Sequence, residues 1–219
     1  MNSDDIYVYK MVADNGGAPC VWRGLLSLAL CKPKIRKSAG KGALVFGFGG
    51  KGYGERLLYV ARITSKPETG EYYQKREFAR RPDCIYRNVG GKAQRKVDAS
   101  YHYQSDERKR DVGLRFERAD VLLSCDFRYF GKQGTADYKN EFKATKALIE
   151  GLTQGHRVNH SQKLREELGG LKQKLWRKHR RKKVGQPTDA DTKRRCNADT
   201  PSRCIKRGMD AHGPGGRKP

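Results

Sequence analysis

Residues 25–50 restrict the possible folds of this chain more than any other part. Two apolar runs are separated there by a short basic segment and end in glycines, LLSLALCKPKIRKSAGKGALVFGFGG. Pro33 suits the first position of a helix, where its missing N–H is not needed, so the pattern predicts a short basic helix that ends at Gly40 or Gly42. Cations and a bare glycine backbone therefore lie side by side in a small folded unit. This combination favours a site that holds a phosphate or a nucleotide.

The order of the other patterns predicts an α+β fold. Runs rich in β-branched and aromatic residues predict strands at residues 6–13, 43–48, 56–64 and 120–129. Helical spacing or composition predicts helices at residues 71–80, 141–152 and 161–183. Residues 25–31 fit either a buried strand or a buried helix. Since strands and helices do not alternate regularly, as a doubly wound parallel sheet requires, we expect a small mixed β-barrel or a curved sheet.

The positive charge is concentrated towards the C-terminus. The 219 residues carry a net charge of +24, and residues 155–219 hold 19 Lys and Arg against 6 Asp and Glu. Such an excess of cations favours polyanions, because neutralised phosphates release counterions. We therefore expect nucleic acid, DNA rather than RNA, or a nucleotide as the partner. We expect no membrane contact, since the basic tail has few large apolar residues to insert.

The patterns divide the chain into three parts. We expect a folded domain at residues 1–160, a basic helix at 161–184 and a disordered basic tail at 185–219, where apolar residues are few. The basic octamer at residues 176–183 is either a nucleic-acid arm, a nuclear address or a solvated surface.

The cysteines and the N-terminus indicate an intracellular protein. The six cysteines are widely spaced and no pair has metal-ligand spacing, so the sequence predicts reduced thiols and no metal site. Asp4 and Asp5 lie near the N-terminus without a long apolar stretch, so we expect no signal peptide. The expected location is the cytoplasm, or the nucleus if the host has one.

Candidate binding residues come from the loops and the basic segments. Asp14 could accept hydrogen bonds from a base edge or simply stabilise an Asx turn, and the cations could pair with phosphate. The candidates for a nucleotide or base are Asp14, Lys32, Arg36, Lys51 and Tyr53. The candidates for the nucleic-acid backbone are Lys34, Lys37, Arg177, Lys178, Arg180, Arg181, Lys182 and Lys183.

Two classes of enzyme site are not supported by the patterns. The glycines at residues 47–54 lack the GxxxxGK[ST] pattern and precede a strand, so a nucleoside triphosphatase is not expected. His102, His156 and His160 have no carboxylate or cysteine at a spacing that suggests a triad, so we interpret them as structural. The sequence predicts no catalytic residue and no cofactor.

Several segments resemble the nucleotide modification associated domain 2 family. They are residues 13–19, 28–36, 46–49, 58–64 and 127–131, and the most specific element is CKPKIR at 31–36. The resemblance covers roughly residues 6–160. It implies a role in systems that make or recognise modified nucleobases. The order of elements also resembles the PUA-like group, with its ASCH and EVE domains, which are small β-barrels whose pocket accepts a nucleotide or a flipped base.

The residues and the resemblance together leave three functional hypotheses. The first is a non-catalytic recognition module that binds a modified base or nucleotide in a PUA-like mixed β-barrel with short helices. The second is an enzyme that acts on nucleotides or nucleobases, with Asp14 as a general base. The third is a structural basic protein of ribosome or nucleoid type, whose tail alone would account for binding.

Overall fold

The computed structural model describes residues 5–102, 105–153 and 155–189 of the chain. Their strands and helices confirm the predicted α+β class. The strands are β1 (Ile6–Met11), β2 (Cys20–Trp22), β3 (Leu25–Leu28), β4 (Leu44–Gly49), β5 (Leu57–Arg62), β6 (Tyr86–Val89), β7 (Lys92–Arg95), β8 (Leu122–Ser124), β9 (Asp126–Tyr129) and β10 (His156–Arg157). The α-helices are α1 (Pro33–Ser38), α2 (Ser105–Asp111), α3 (Tyr138–Glu141), α4 (Lys143–Gly151) and α5 (Gln162–Lys178).

Two sheets form the centre of the fold. The first has the order β10-β1-β4-β5-β9, in which only β1 and β4 are parallel, and the second has the order β2-β3-β8. The strands predicted at residues 43–48 and 56–64 correspond to β4 and β5, which form an antiparallel hairpin. The strand predicted at residues 120–129 is divided into β8 and β9 at Cys125, where the chain passes from one sheet to the other.

The sheets curve around one core but do not close. Ser65 pairs with Leu123, which joins the end of β5 to β8 and links the two sheets. Among the described residues the end strands β10 and β2, which are two and three residues long, do not pair with each other. The predicted barrel is therefore an open, curved sheet.

The two faces of the five-stranded sheet are covered differently. Side chains alternate along a strand, so Tyr7, Tyr9 and Met11 of β1 face the curved interior, whereas Ile6 and Val8 face outward. The outer face is covered by α3, α4 and α5. Helix α5 buries a leucine stripe in the same cluster as the outward residues of β1, namely Leu164, Leu168, Leu171 and Leu175. The predicted basic helix thus packs on the sheet through its apolar side, and it ends at Lys178.

A third core cluster is formed mainly by residues 72–123, which follow β5, together with Ala29, Leu30 and Cys31. The helix predicted at residues 71–80 is wrong, since two short 3₁₀ turns, Glu71–Tyr73 and Arg76–Phe78, stand there instead. Lys75 has extended backbone angles that interrupt a continuous helix. Residues 88–110, for which the sequence analysis predicts no strand or helix, contain most of the β6–β7 hairpin and of α2.

After α5 the chain returns along β9 as a segment that we call the strap, residues 180–189. Tyr129 N–H donates to Lys182 O at 2.8 Å, and Val184 N–H donates to Tyr129 O at 2.8 Å. Lys132 N–H donates to Gln186 O at 2.7 Å. Residues 190–219, where most of the disordered tail is predicted, lie outside the described residues. Within the described residues, no helix has the length and apolar character needed to cross a membrane.

Candidate ligand pocket at the ends of β1 and β4

Three segments of the chain meet at one edge of the five-stranded sheet. Because β1 and β4 are parallel, their carboxyl ends lie at the same edge. There β1 continues into the loop of residues 12–19, and β4 continues into residues 50–56, which we call the glycine loop. The strap arrives at the same place, where the Asp14 N–H donates to Asp189 Oδ2 at 3.0 Å and the Asp189 N–H donates to Asp14 O at 2.9 Å.

A small pocket lies at this edge, between the loop and the start of α1. Its free volume is about 20 Å³, room for roughly one water molecule. A nucleobase is larger, so the pocket does not hold one in this conformation. The lining residues are Tyr9, Met11, Val12, Ala13, Asn15, Ala18, Cys31 and Lys32.

Lys32 reaches this pocket from a strained backbone. The Lys32 ammonium lies 5.1 Å from the centre of the Tyr9 ring, a cation–π arrangement. Cys31 and Lys32 have φ angles of 57° and 47°, so two successive non-glycine residues are left-handed. This conformation costs roughly 1–2 kcal/mol per residue. Lys32 is half-buried and has no ion pair with a carboxylate of the described residues.

A buried ion pair holds this strained turn in place. The Arg36 guanidinium pairs with the Asp111 carboxylate, and both side chains are buried. Arg36 Nε–H donates to Cys31 O at 2.7 Å, whereas the Cys31 N–H donates to Asp111 Oδ2 at 2.9 Å. Arg36 also donates to Asp120 O at 2.5 Å. Arg36 was predicted to contact phosphate. Its side chain instead faces the interior, where it satisfies main-chain carbonyls and positions Lys32.

Asp14 is buried beside the pocket and is bonded by the protein. The Tyr129 hydroxyl donates to the two carboxylate oxygens of Asp14 at 2.7 and 2.9 Å. The Thr188 N–H of the strap donates to Oδ2 at 3.2 Å. Burial raises the pKa of Asp14, although these hydrogen bonds oppose the shift. The carboxylate therefore joins the sheet, the loop and the strap.

Two buried tyrosines form the floor of the curved interior. The Tyr9 and Tyr59 hydroxyls lie 2.9 Å apart, and burial raises the pKa of each phenol. Both rings therefore stay neutral at physiological pH. Gly47 makes room for this floor, because a Cβ there would collide with the Tyr59 ring and approach Met11 Sδ to 2.9 Å.

The glycine loop brings Tyr53 to the strap. Residues Lys51–Tyr53 form a 3₁₀ turn, from which the Tyr53 hydroxyl donates to Asp189 Oδ2 at 2.6 Å. Lys51 is exposed on this turn. Of the candidates for a base or nucleotide, the structure thus brings Asp14, Lys32 and Tyr53 to one edge, with Lys51 on the same turn as Tyr53.

The candidates for the nucleic-acid backbone are all exposed. Lys34 and Lys37 lie on α1, Arg177 and Lys178 end α5, and Arg180, Arg181, Lys182 and Lys183 begin the strap. Lys178 pairs with Asp137 at 2.8 Å. The basic run therefore leads, along the strap, from the end of α5 towards the pocket.

Several residues at the site have no signal in the sequence. Asp111, Tyr129, Thr188 and Asp189 come from distant parts of the chain, and only their contacts reveal them. The structure also gives the buried His102 the polar partners that sequence spacing did not suggest. The Tyr86 hydroxyl lies 2.6 Å from Nδ1, and Asp111 Oδ2 lies 3.4 Å from Nε2. Within the described residues, no group of three or more His, Cys, Asp or Glu is arranged to hold a metal ion.

Comparisons with known proteins agree with the resemblance seen in the sequence. The model of the nucleotide modification associated domain 2 family matches residues 3–194. No curated protein and no solved structure matches the chain. The matched residues extend past residue 160, so they include α5 and the strap as well as the pocket and the CKPKIR element. The chain therefore belongs to the nucleotide modification associated domain 2 family.

Proposed function

We propose that this protein is a non-catalytic recognition module of a DNA modification system and that it binds a modified base or a nucleotide at the pocket beside Lys32. The observation that carries the proposal is the strained Cys31–Lys32 turn. Strained backbone concentrates at functional sites, because the surrounding structure must maintain it. Here the Arg36–Asp111 pair maintains it, and the result is a cation over an aromatic face at the mouth of a pocket.

The chemistry of the pocket suits a ligand that combines a ring with a negative charge. The Lys32 ammonium supplies a charge-assisted hydrogen bond to a phosphate or a base oxygen. Tyr9 would supply an aromatic face when Lys32 turns from its ring to the ligand, and stacking of a base on such a face contributes about 1–3 kcal/mol. Asp14 is buried beside the pocket, and it would supply an acceptor for an exocyclic amine once the strap has released it. These three groups come from β1, the loop and the start of α1.

Binding requires the strap to move. The free volume of about 20 Å³ excludes a base, and Thr188 and Asp189 hold the loop through Asp14. Release of these contacts removes the Thr188 donor from Asp14 Oδ2, whereas the Tyr129 hydroxyl stays bonded to the carboxylate. The exposed cations of the strap, Arg180 to Lys183, would then lie beside the opening and contact the nucleic-acid backbone. We also propose that the two sheets are an open variant of the PUA-like layout, a relationship that the core cluster shared by both sheets supports.

One observation favours the enzyme hypothesis as a second candidate. Burial raises the pKa of Asp14, which is the direction that a general base needs in order to work near neutral pH. Asp14→Asn separates the two functions. A recognition module loses or changes its binding, whereas an enzyme keeps binding and loses turnover of a nucleotide.

The experiment compares Lys32→Ala with Lys34→Ala in the full chain. Lys34 lies on the same helix, is exposed and carries the same charge, so it controls for electrostatics. DNA duplexes with and without 5-hydroxymethylcytosine or N6-methyladenine are titrated at two salt concentrations. We expect a preference for one modified duplex that persists at high salt. Lys32→Ala should reduce that preference by roughly tenfold, the size of one good contact, and Lys34→Ala should leave it unchanged.

Two results would contradict the proposal. The first is binding that ignores modification and collapses with salt, which leaves only electrostatic attraction. The second is an equal effect of both substitutions on the preference, because the strained position of Lys32 would then serve no ligand.

A further inference from the structure

The β6–β7 hairpin, residues 86–95, projects from the third core as a short two-stranded ribbon. Gly90 and Gly91 form its turn with φ angles of 56° and 76°, the left-handed pair of a type I′ hairpin. A Cβ added to either glycine would meet no atom within 4 Å. All six residues from 87 to 92 are exposed. The tip of the ribbon therefore extends into open space.

The base of the ribbon is held firmly. Tyr86 and Ala93 point inward and are buried in the third core. The Ala93 N–H donates to Leu114 O at 2.8 Å, and Arg108 donates to Ala93 O at 3.1 Å. At the tip, the Gly91 N–H donates to Asn88 Oδ1 at 2.9 Å. Anchoring at the base and in the turn keeps the ribbon in one conformation, which lowers the entropic cost of binding.

The outward face of the ribbon carries only basic, amide and small apolar groups. Arg87 lies opposite Gln94, and Val89 lies opposite Lys92. Since Tyr86 and Ala93 face inward, the alternation of side chains places these two pairs outward. Arg87 Nε–H donates to Gln94 Oε1 at 3.1 Å, which orients the guanidinium along the ribbon. Val89 is 47% exposed. The face has no carboxylate and no aromatic ring.

The geometry points to this ribbon as a contact surface for the major groove of duplex DNA. The major groove admits a two-stranded β-ribbon, and its base edges are read by arginine at guanine, by glutamine at adenine and by apolar contact with the thymine methyl group. Arg87, Gln94 and Val89 supply these three groups, and Lys92 at the tip supplies a cation for a phosphate. None of these four residues lines the pocket, so the surface is distinct from the pocket beside Lys32.

Two other nucleic acids fit this surface poorly. Single strands are held by stacking of bases on aromatic side chains, and the outward face has none. Duplex RNA has a deep, narrow major groove that side chains cannot read. The ribbon therefore discriminates for duplex DNA.

The test uses the full chain with Arg87→Ala and Lys92→Ala combined. The matched control combines Lys143→Ala and Lys163→Ala. These exposed lysines lie on α4 and α5, which pack in a different core cluster, and their substitution removes the same amount of positive charge. Fluorescence anisotropy measures binding to a 20-base-pair DNA duplex, to one of its strands and to an RNA duplex of the same sequence, over a salt series. We expect the ribbon variant to bind duplex DNA roughly tenfold more weakly and the control variant to remain within about threefold of the wild-type protein.

Several outcomes overturn the inference. The first is an equal loss of affinity for duplex DNA in the ribbon variant and the control variant. The second is a ribbon variant that loses as much affinity for single-stranded DNA or duplex RNA as for duplex DNA. The third is a wild-type protein that does not bind duplex DNA.

Arg87→Lys provides a second check, because it keeps the charge but loses the planar fork that reads a base edge. We expect it to weaken duplex DNA binding, and wild-type affinity would contradict the role of Arg87. The ratio of affinities for modified and unmodified duplexes should stay unchanged in the ribbon variant, so failure here is distinguishable from failure of the proposed pocket.

Discussion

Arg36 and Asp111 form a buried ion pair that binds both main-chain polar groups of Cys31, the carbonyl through Arg36 and the N–H through Asp111. The pair thereby fixes the left-handed residue that precedes Lys32. It also explains the spacing of CKPKIR. Pro33 starts the helix, Ile35 enters the core, and Arg36 reaches back one turn to the residue before Lys32.

The first prediction concerns the stability that this pair provides. Arg36→Ala leaves the Asp111 carboxylate buried without its cation, which should lower the free energy of unfolding by about 3–5 kcal/mol. Urea titration followed by circular dichroism measures the change. Lys37→Ala, an exposed neighbour on α1, should shift the same quantity by less than about 0.5 kcal/mol. Similar stabilities of the two variants would show that the pair does not hold the turn.

The second prediction concerns pH. Burial raises the pKa of Asp14 above its ordinary value of 3.8, so the folded protein holds this proton more tightly than the unfolded chain. Protonation of Asp14 therefore stabilises the folded state. This contribution to the free energy of unfolding is fully present below pH 3.8 and is lost as the pH rises through the raised pKa of Asp14. The free energy of unfolding of the wild-type protein, minus that of Asp14→Asn, should therefore fall as the pH rises above 3.8. A difference that stays constant or rises would contradict the burial of a proton-binding carboxyl.

The third prediction concerns the packing of the tyrosine floor. Gly47→Ala places a methyl group against the Tyr59 ring and Met11, and such overpacking should destabilise the protein by about 1–3 kcal/mol. Gly52→Ala is the control, because a Cβ there meets nothing within 4 Å. Thermal unfolding should show a lower midpoint for the first variant only. Equal midpoints would mean that the floor can shift without cost.

The fourth prediction concerns the strap. Tyr53→Phe removes the hydroxyl that donates to Asp189, a hydrogen bond with a net contribution of about 1 kcal/mol. Amide hydrogen exchange of residues 184–189 should become roughly fivefold faster, while β1 should keep its protection. Lys51→Ala, on the same turn, should change neither rate. Unchanged exchange in Tyr53→Phe would show that Asp189 is held without this contact.

Local patterns were sufficient for the centre of the fold. Runs of β-branched residues predict the strands β1, β4 and β5, and proline predicts the start of α1 at Pro33. These signals act over only a few residues, so the sequence is enough to read them. The prediction of a helix at residues 71–80 is wrong because contacts with distant residues determine the structure of this segment. Tyr72, Tyr73 and Phe78 have helical spacing, but a core drawn from distant residues holds them in two separate turns.

The sequence by itself determined the class of fold, the family and the basic character of the chain, because each depends on composition and on short motifs. Tertiary structure alone decided the role of individual side chains. Arg36 looks like a surface cation in the sequence, yet it is buried because Asp111, 75 residues away, neutralises it. Asp14 gains its partners Tyr129 and Thr188 in the same way, 115 and 174 residues away. Such contacts depend on which segments the fold brings together, and a charge pattern along the chain does not contain that information.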